Sequence, residues 1–115
     1  MSDLAIVNKT YELIKWYVPI LNRLPKEHKF GIADRIINRL YDLLEGLAEA
    51  RYDDDKLGKL KRLNAKIDIL RIFTTLLFDF GLFNDKKLEH AGKEINDIGR
   101  DLGGWIKQQK NLKGE

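Results

Sequence analysis

KLGKLKRLNAKIDILRIFTTLLFDF, residues 56–80, is the stretch that decides the fold. Leu57, Leu60, Leu63, Ile67, Leu70, Thr74 and Leu77 recur every three or four positions, the spacing that gathers side chains on one face of an α-helix. Gly81 follows as a stop, because glycine enters the left-handed conformation of a helix C-terminus at little cost. Asp53, Asp54 and Asp55 precede it. Aspartates compete for backbone donors and so favour a cap or turn, and their charge suits a helix N-terminus.

The same period continues on either side. After the turn at 81–84, Asn84 or Asp85 caps a helix running to about Lys110, with Leu88, Ala91, Ile95, Ile98, Leu102 and Trp105 as its seam. Before the aspartates, about Glu27 to Tyr52 carries Phe30, Ala33, Ile37, Leu40, Leu44, Leu47 and Arg51 down one side. The first helix, about Asp3 to Asn22, has the seam Leu4, Val7, Tyr11, Ile14, Val18 and Leu21, with Asp3 as N-cap. Pro19 should bend its last turn by removing a backbone donor, and Pro25 ends the segment. The expected fold is all-α, an antiparallel up-down-up-down four-helix bundle in a single domain over residues 1–115.

Composition agrees with a globular protein. Hydrophobic side chains make up 43% and charged ones 34%, enough of each for a core and a solvated surface. Zero cysteines remove disulfides, thiolate metal sites and cysteine nucleophiles, and suit a reducing, cytoplasmic setting. No run reaches the ~18 apolar residues of a membrane span, and Met-Ser-Asp-Leu lacks a secretory pattern. The net charge of +3 is small, so any attraction to nucleic acid must come from where charges stand.

Two helices carry more apolar surface than one core stripe needs. The first has a second row, Ile6, Leu13, Tyr17 and Ile20; the third adds Ile69, Ile72, Phe73, Leu76 and Phe80 away from its seam. Either the core is uneven and some of these are half exposed, or they form a subunit interface, since contiguous apolar patches are uncommon on soluble monomers. Association of several copies is the expectation, through Ile6, Leu13, Tyr17, Ile20, Ile72, Phe73, Leu76 and Phe80.

The charges are patterned too. Lys86, Lys93, Arg100 and Lys107 are spaced by seven, drift only ~20° per step, and form one basic edge. Arg35 and Arg39 stand one turn apart on the second helix, and the third opens with Lys56, Lys59, Lys61, Arg62 and Lys66. These could be ordinary solvated faces, or basic edges that several subunits pool to hold a phosphate backbone, with affinity falling as salt rises. Gly92, Gly99 and Gly103 lie on one strip of the fourth helix. Each costs ~1 kcal/mol relative to alanine, so another backbone approaches there, or this end of the helix deforms or frays at Gly103-Gly104, though Trp105 immediately after argues for a packed end rather than a frayed one.

Catalytic patterns are missing. His28, in a charged turn, and His90, on a polar helix side, have no metal-ligand spacing, and Glu45 with Glu49 reads as surface charge rather than an acid/base pair. The Glu-x-x-His pair of a di-iron bundle is absent, no glycine loop could cradle phosphate, and no cofactor or enzymatic activity is expected.

Residues 94–105, Glu-Ile-Asn-Asp-Ile-Gly-Arg-Asp-Leu-Gly-Gly-Trp, resemble the accessory variability determinant (Avd) family of diversity-generating retroelements. That family lies within the four-helix-bundle proteins of ribosomal-RNA intervening sequences. Leu70-Arg71 with Gly81-Leu82, Leu24-Pro25-Lys26 through Phe30 and Arg35, and Ala50-Arg51 extend the resemblance over nearly the whole chain. The resemblance implies a barrel-like homopentamer with a basic surface that associates with the retroelement reverse transcriptase. It also implies support of error-prone, adenine-directed cDNA synthesis from a template RNA, without being the polymerase. On it, Arg35, Arg39, Arg71, Arg100 and Lys107 become candidates for contact with RNA, DNA or the enzyme, joined by Lys59, Arg62, Lys66 and Lys93 from the basic clusters. Arg51 and Arg71 lie near apolar seams, where a structural salt bridge is the competing role. The alternative function is an intervening-sequence-type bundle with an rRNA-related or purely structural role.

Overall fold

The structure, a computed structural model, describes residues 3–114. The cap expected from the Asp3 side chain lies outside the described residues. The elements are α1 (Asp3–Asn22), α2 (Lys26–His28), a π-helical turn (Lys29–Ala33), α3 (Asp34–Ala50), α4 (Lys56–Asp79) and α5 (Asp85–Leu112). The short α2, the π turn and α3 follow one another without a break, where the periodicity predicts a single helix. Four antiparallel rods result, and the molecule measures 48 × 23 × 21 Å. In section they form a square in which α1 packs beside α3 and α5, and α4 likewise beside α3 and α5. α1 therefore faces α4 across the core, and α3 faces α5.

The deciding stretch behaves as its period predicts: all seven seam residues of α4, Leu57 through Leu77, are buried. α5 buries Ala91, Ile95, Ile98, Leu102 and Trp105, while Leu88 is half-buried. Its end is neither frayed nor broken at Gly103-Gly104, since the helix runs on to Leu112.

The other two rods are rotated from expectation. α3 buries Ile36, Leu40, Leu43, Leu47 and Ala50, leaving Ile37 and Leu44 half-buried. Both choices share Leu40 and Leu47; the observed stripe also buries Ala50, while Arg51, expected in the seam, is half-buried. Phe30, in the π turn, is 73% exposed and does not belong to the seam.

α1 turns the predicted second row inward. Ile6, Leu13 and Tyr17 are closed inside the protomer with Thr10 and Leu21, so they cannot contact another copy. Leu4 and Tyr11, expected in the core, are each 54% exposed, and Val7, Ile14 and Val18 are half-buried. Hydroxyl pairing allows this. Thr10 Oγ1 donates to the Ile6 carbonyl at 2.9 Å, and the Tyr17 hydroxyl meets Thr74 Oγ1 of α4 at 2.7 Å across the core. A buried hydroxyl with a partner avoids most of its desolvation cost. Burial also pushes the Tyr17 phenol well above its ordinary value.

Local signals fix the corners. Gly58 N donates to Asp55 Oδ1 at 3.0 Å, capping α4, and Asp53 Oδ1 accepts from Asp55 N at 2.8 Å. That cap bond, with Lys113 and Arg62 nearby, holds the Asp55 carboxyl below the usual carboxylate range. Asn84 caps α5 by accepting from Lys87 N at 2.9 Å. Gly81 takes φ 75° after α4, which lets Leu82 N reach back to the Leu77 carbonyl at 2.9 Å.

Candidate nucleic-acid and subunit interface

On α5 the buried residues and the basic edge occupy opposite sides of one helix. Lys86, Lys93, Arg100 and Lys107 are all exposed and lie about half a turn away from Ala91, Ile95, Ile98 and Leu102. They make a ridge about 30 Å long at 1.5 Å per residue. Arg100 is held only loosely, by Asp97 of its own helix at 3.3 Å. The ridge is bounded on the α1 side by Asp101, which takes Lys9 Nζ at 2.7 Å. Glu89 interrupts it near the N-terminal end.

The remaining candidate cations are dispersed. Arg35 is exposed and Arg39 half-buried on α3, the rod diagonal to α5, so the two basic edges do not adjoin within a protomer. Lys59 leans on Glu49 of α3 at 3.5 Å. Arg62 is exposed and Lys66 half-buried further along α4.

Arg71 is engaged structurally. Its Nε donates to Asn96 Oδ1 of α5 at 2.9 Å and its Nη1 to Asp68 Oδ1 at 2.5 Å. Gly99 makes room, because a Cβ there would stand 2.6 Å from Arg71 Nη2. A side chain, rather than the backbone expected from the glycine strip, thus lies over Gly99, while a Cβ on Gly92 or Gly103 would meet nothing within 4 Å. The Arg71–Asn96–Gly99 clasp was only half legible. Arg71 and Gly99 both stand out in the sequence, but nothing in either helix alone pairs them. Arg51 is half-buried, with its guanidinium 5.3 Å from the Tyr52 ring centre.

The apolar surplus of α4 is exposed or only partly buried, and Phe73 packs against the core. Ile72 is 65% and Phe80 54% exposed, and Ile69, Phe73 and Leu76 are half-buried. Ile20 of α1 is also half-buried. At the end of the bundle shared by the α1 C-terminus and the α5 N-terminus, aromatic groups pack closely. The Trp16 and His90 rings are 4.4 Å apart, and half-buried His28 stacks on Phe80 at 5.7 Å. Among the described residues, no group of three or more His, Cys, Asp or Glu could hold a metal ion, and no helix is long and apolar enough to cross a membrane.

The family model of bAvd-like proteins matches residues 4–109. The chain belongs to the bAvd-like family. A solved structure described as a protein of unknown function from the S23 ribosomal protein family of Bacteroides thetaiotaomicron has the same fold as this bAvd-like chain. It superposes with a TM-score of 0.84 at 20% identity, covering 93% of this chain and 99% of that one. No curated protein matches. The bAvd-like match spans every rod of the bundle, including the Arg71–Asn96–Gly99 clasp and the whole α5 ridge.

Proposed function

We propose that this bAvd-like chain is a non-catalytic accessory subunit of a diversity-generating retroelement. It works as a homo-oligomer, pentameric by the family resemblance, that binds the reverse transcriptase and its RNA or DNA during mutagenic cDNA synthesis. The family membership supplies the biological setting, and the α5 ridge is the observation that carries the contact. Lysine and arginine at such spacing suit phosphate oxygens without reading bases, so binding is expected to depend on salt more than on sequence. Lys93, Arg100 and Lys107 are assigned the main contacts. Arg71 is assigned to holding α4 against α5.

Co-purification with a retroelement reverse transcriptase and its template RNA tests this. The intact chain is expected to retain both and to lose RNA as salt rises. The triple variant Lys93→Glu, Arg100→Glu, Lys107→Glu is expected to keep its fold and assembly and to lose RNA retention by at least tenfold. Retention of neither enzyme nor RNA by the intact chain rejects the proposal. The S23-family neighbour favours a second reading, an rRNA-related bundle, which needs no reverse transcriptase and would retain RNA alone.

A further inference from the structure

We infer that the α5 ridge takes single-stranded nucleic acid, with one unpaired base stacking on the His90 ring where that ring backs onto Trp16. This rests on the nucleic-acid reading proposed above and adds to it a subsite and the strandedness of the ligand.

His90 is exposed on α5, one turn after Lys86 and one turn before Lys93, so it stands among the cations at the N-terminal end of the ridge. Its ring centre lies 4.4 Å from that of Trp16 of α1, at a tilt of 46°. Trp16 is half-buried and anchored from behind. Its ring meets those of Tyr17 at 5.4 Å and Phe83 at 6.2 Å, both edge-on, and both of these residues are buried. An exposed side chain ordinarily gives up rotamer freedom when a ligand covers it. The indole already supports one side of the imidazole, so covering the other orders little that is still free.

Neither ring is engaged elsewhere. Among the described residues, the His90 ring nitrogens and the Trp16 indole N–H have no hydrogen-bond partner. A flat face and polar edges are thus presented together, which suits the face and edges of a nucleobase.

Charge selects the occupant. Arg23 lies seven residues after Trp16 on the same strip of α1, and Lys86, Lys87 and Lys93 surround His90. Among the described residues these four cations have no ion pair. Glu12, one turn before Trp16, is taken by Lys15 at 3.5 Å, which leaves Glu89 and Glu94 beside His90. An aromatic side chain of a protein partner would stack on His90 but bring nothing for the excess positive charge. A nucleotide brings a phosphate with each base. A duplex keeps its bases paired and stacked on one another and shows the ridge only its phosphates, so the ring pair adds affinity for a single strand alone.

Binding of a fluorescein-labelled oligouridylate and of an RNA duplex of equal length, read by anisotropy, tests the subsite. The intact chain is expected to bind the single strand more tightly than the duplex. His90→Ala is expected to weaken the single strand by about fivefold or more, the effect of losing one base–aromatic stack, and the duplex by less than about twofold. The site is exposed and alanine favours a helix, and circular dichroism confirms that the fold is kept. His90→Phe keeps a flat ring without charge and is expected to restore most of the single-strand affinity. Single-strand binding unchanged in His90→Ala, an equal loss for both ligands, or no rescue by His90→Phe overturns the subsite; the ridge reading then still stands if the Lys93, Arg100 and Lys107 glutamate variant loses both ligands. An intact chain that binds neither ligand overturns both.

Discussion

α1 and α4 face each other across the core, and both carry two apolar rows, yet they divide them differently. α4 buries the row richest in leucine and leaves Ile72 and Phe80 outside. α1 buries a row containing Thr10 and Tyr17 and leaves the more uniformly apolar Leu4 and Tyr11 row outside. The difference shows that hydropathy alone does not select the inner face. A hydroxyl that finds a partner, as Thr10 does in its own helix and Tyr17 does in Thr74, costs the core little. Which row turns inward is then set by shape and by the facing helix.

Five substitutions sharpen that contrast. Leu13→Ala is expected to destabilise the protein by about 2–5 kcal/mol, the range for truncating a fully buried leucine, whereas Tyr11→Ala one helical face away changes chain stability by less than about 1 kcal/mol. Urea unfolding of both, at concentrations where assembly is absent, checks this; equal losses would contradict the inward turn of the Ile6–Tyr17 row. Next in size is Thr74→Val, which strands the buried Tyr17 hydroxyl and is expected to cost about 1–3 kcal/mol. Adding Tyr17→Phe should restore most of that loss, because both polar partners are then gone. Smallest is Thr10→Val, within about 0.5 kcal/mol by thermal melting, since its hydroxyl bonds only to its own helix. A large loss there would mean that Thr10 has a role across the core.

Much of this molecule is legible in its sequence, and the exceptions have physical causes. The bundle, the turn glycine at 81 and the seams of α4 and α5 follow from period and capping chemistry. The stripes of α1 and α3 do not, because α1 offers two apolar rows and α3 two overlapping ones, Ile36 and Leu43 beside Ile37 and Leu44, and the facing helices decide which turns inward. Ile72 and Phe80 could be recognised as surplus before their exposure was known. Ile6, Leu13 and Tyr17 could not be told from surplus, because their fate depends on Thr74, far away in sequence. Arg71 illustrates the same limit: as a charge on a list it resembles Arg100, but the missing Cβ of Gly99 and the amide of Asn96 draw it into the α4/α5 contact. The basic ridge was readable because spacing by seven survives any choice of neighbouring helix.

The solution mass of the intact chain at micromolar concentration tests the account most directly, since the proposed accessory role is that of a homo-oligomer and the exposed apolar residues of α1 and α4 are its candidate contacts. A stable multiple of 13.4 kDa is expected, unchanged when Lys93, Arg100 and Lys107 are replaced by glutamate. A single species of 13.4 kDa across that concentration range would contradict it.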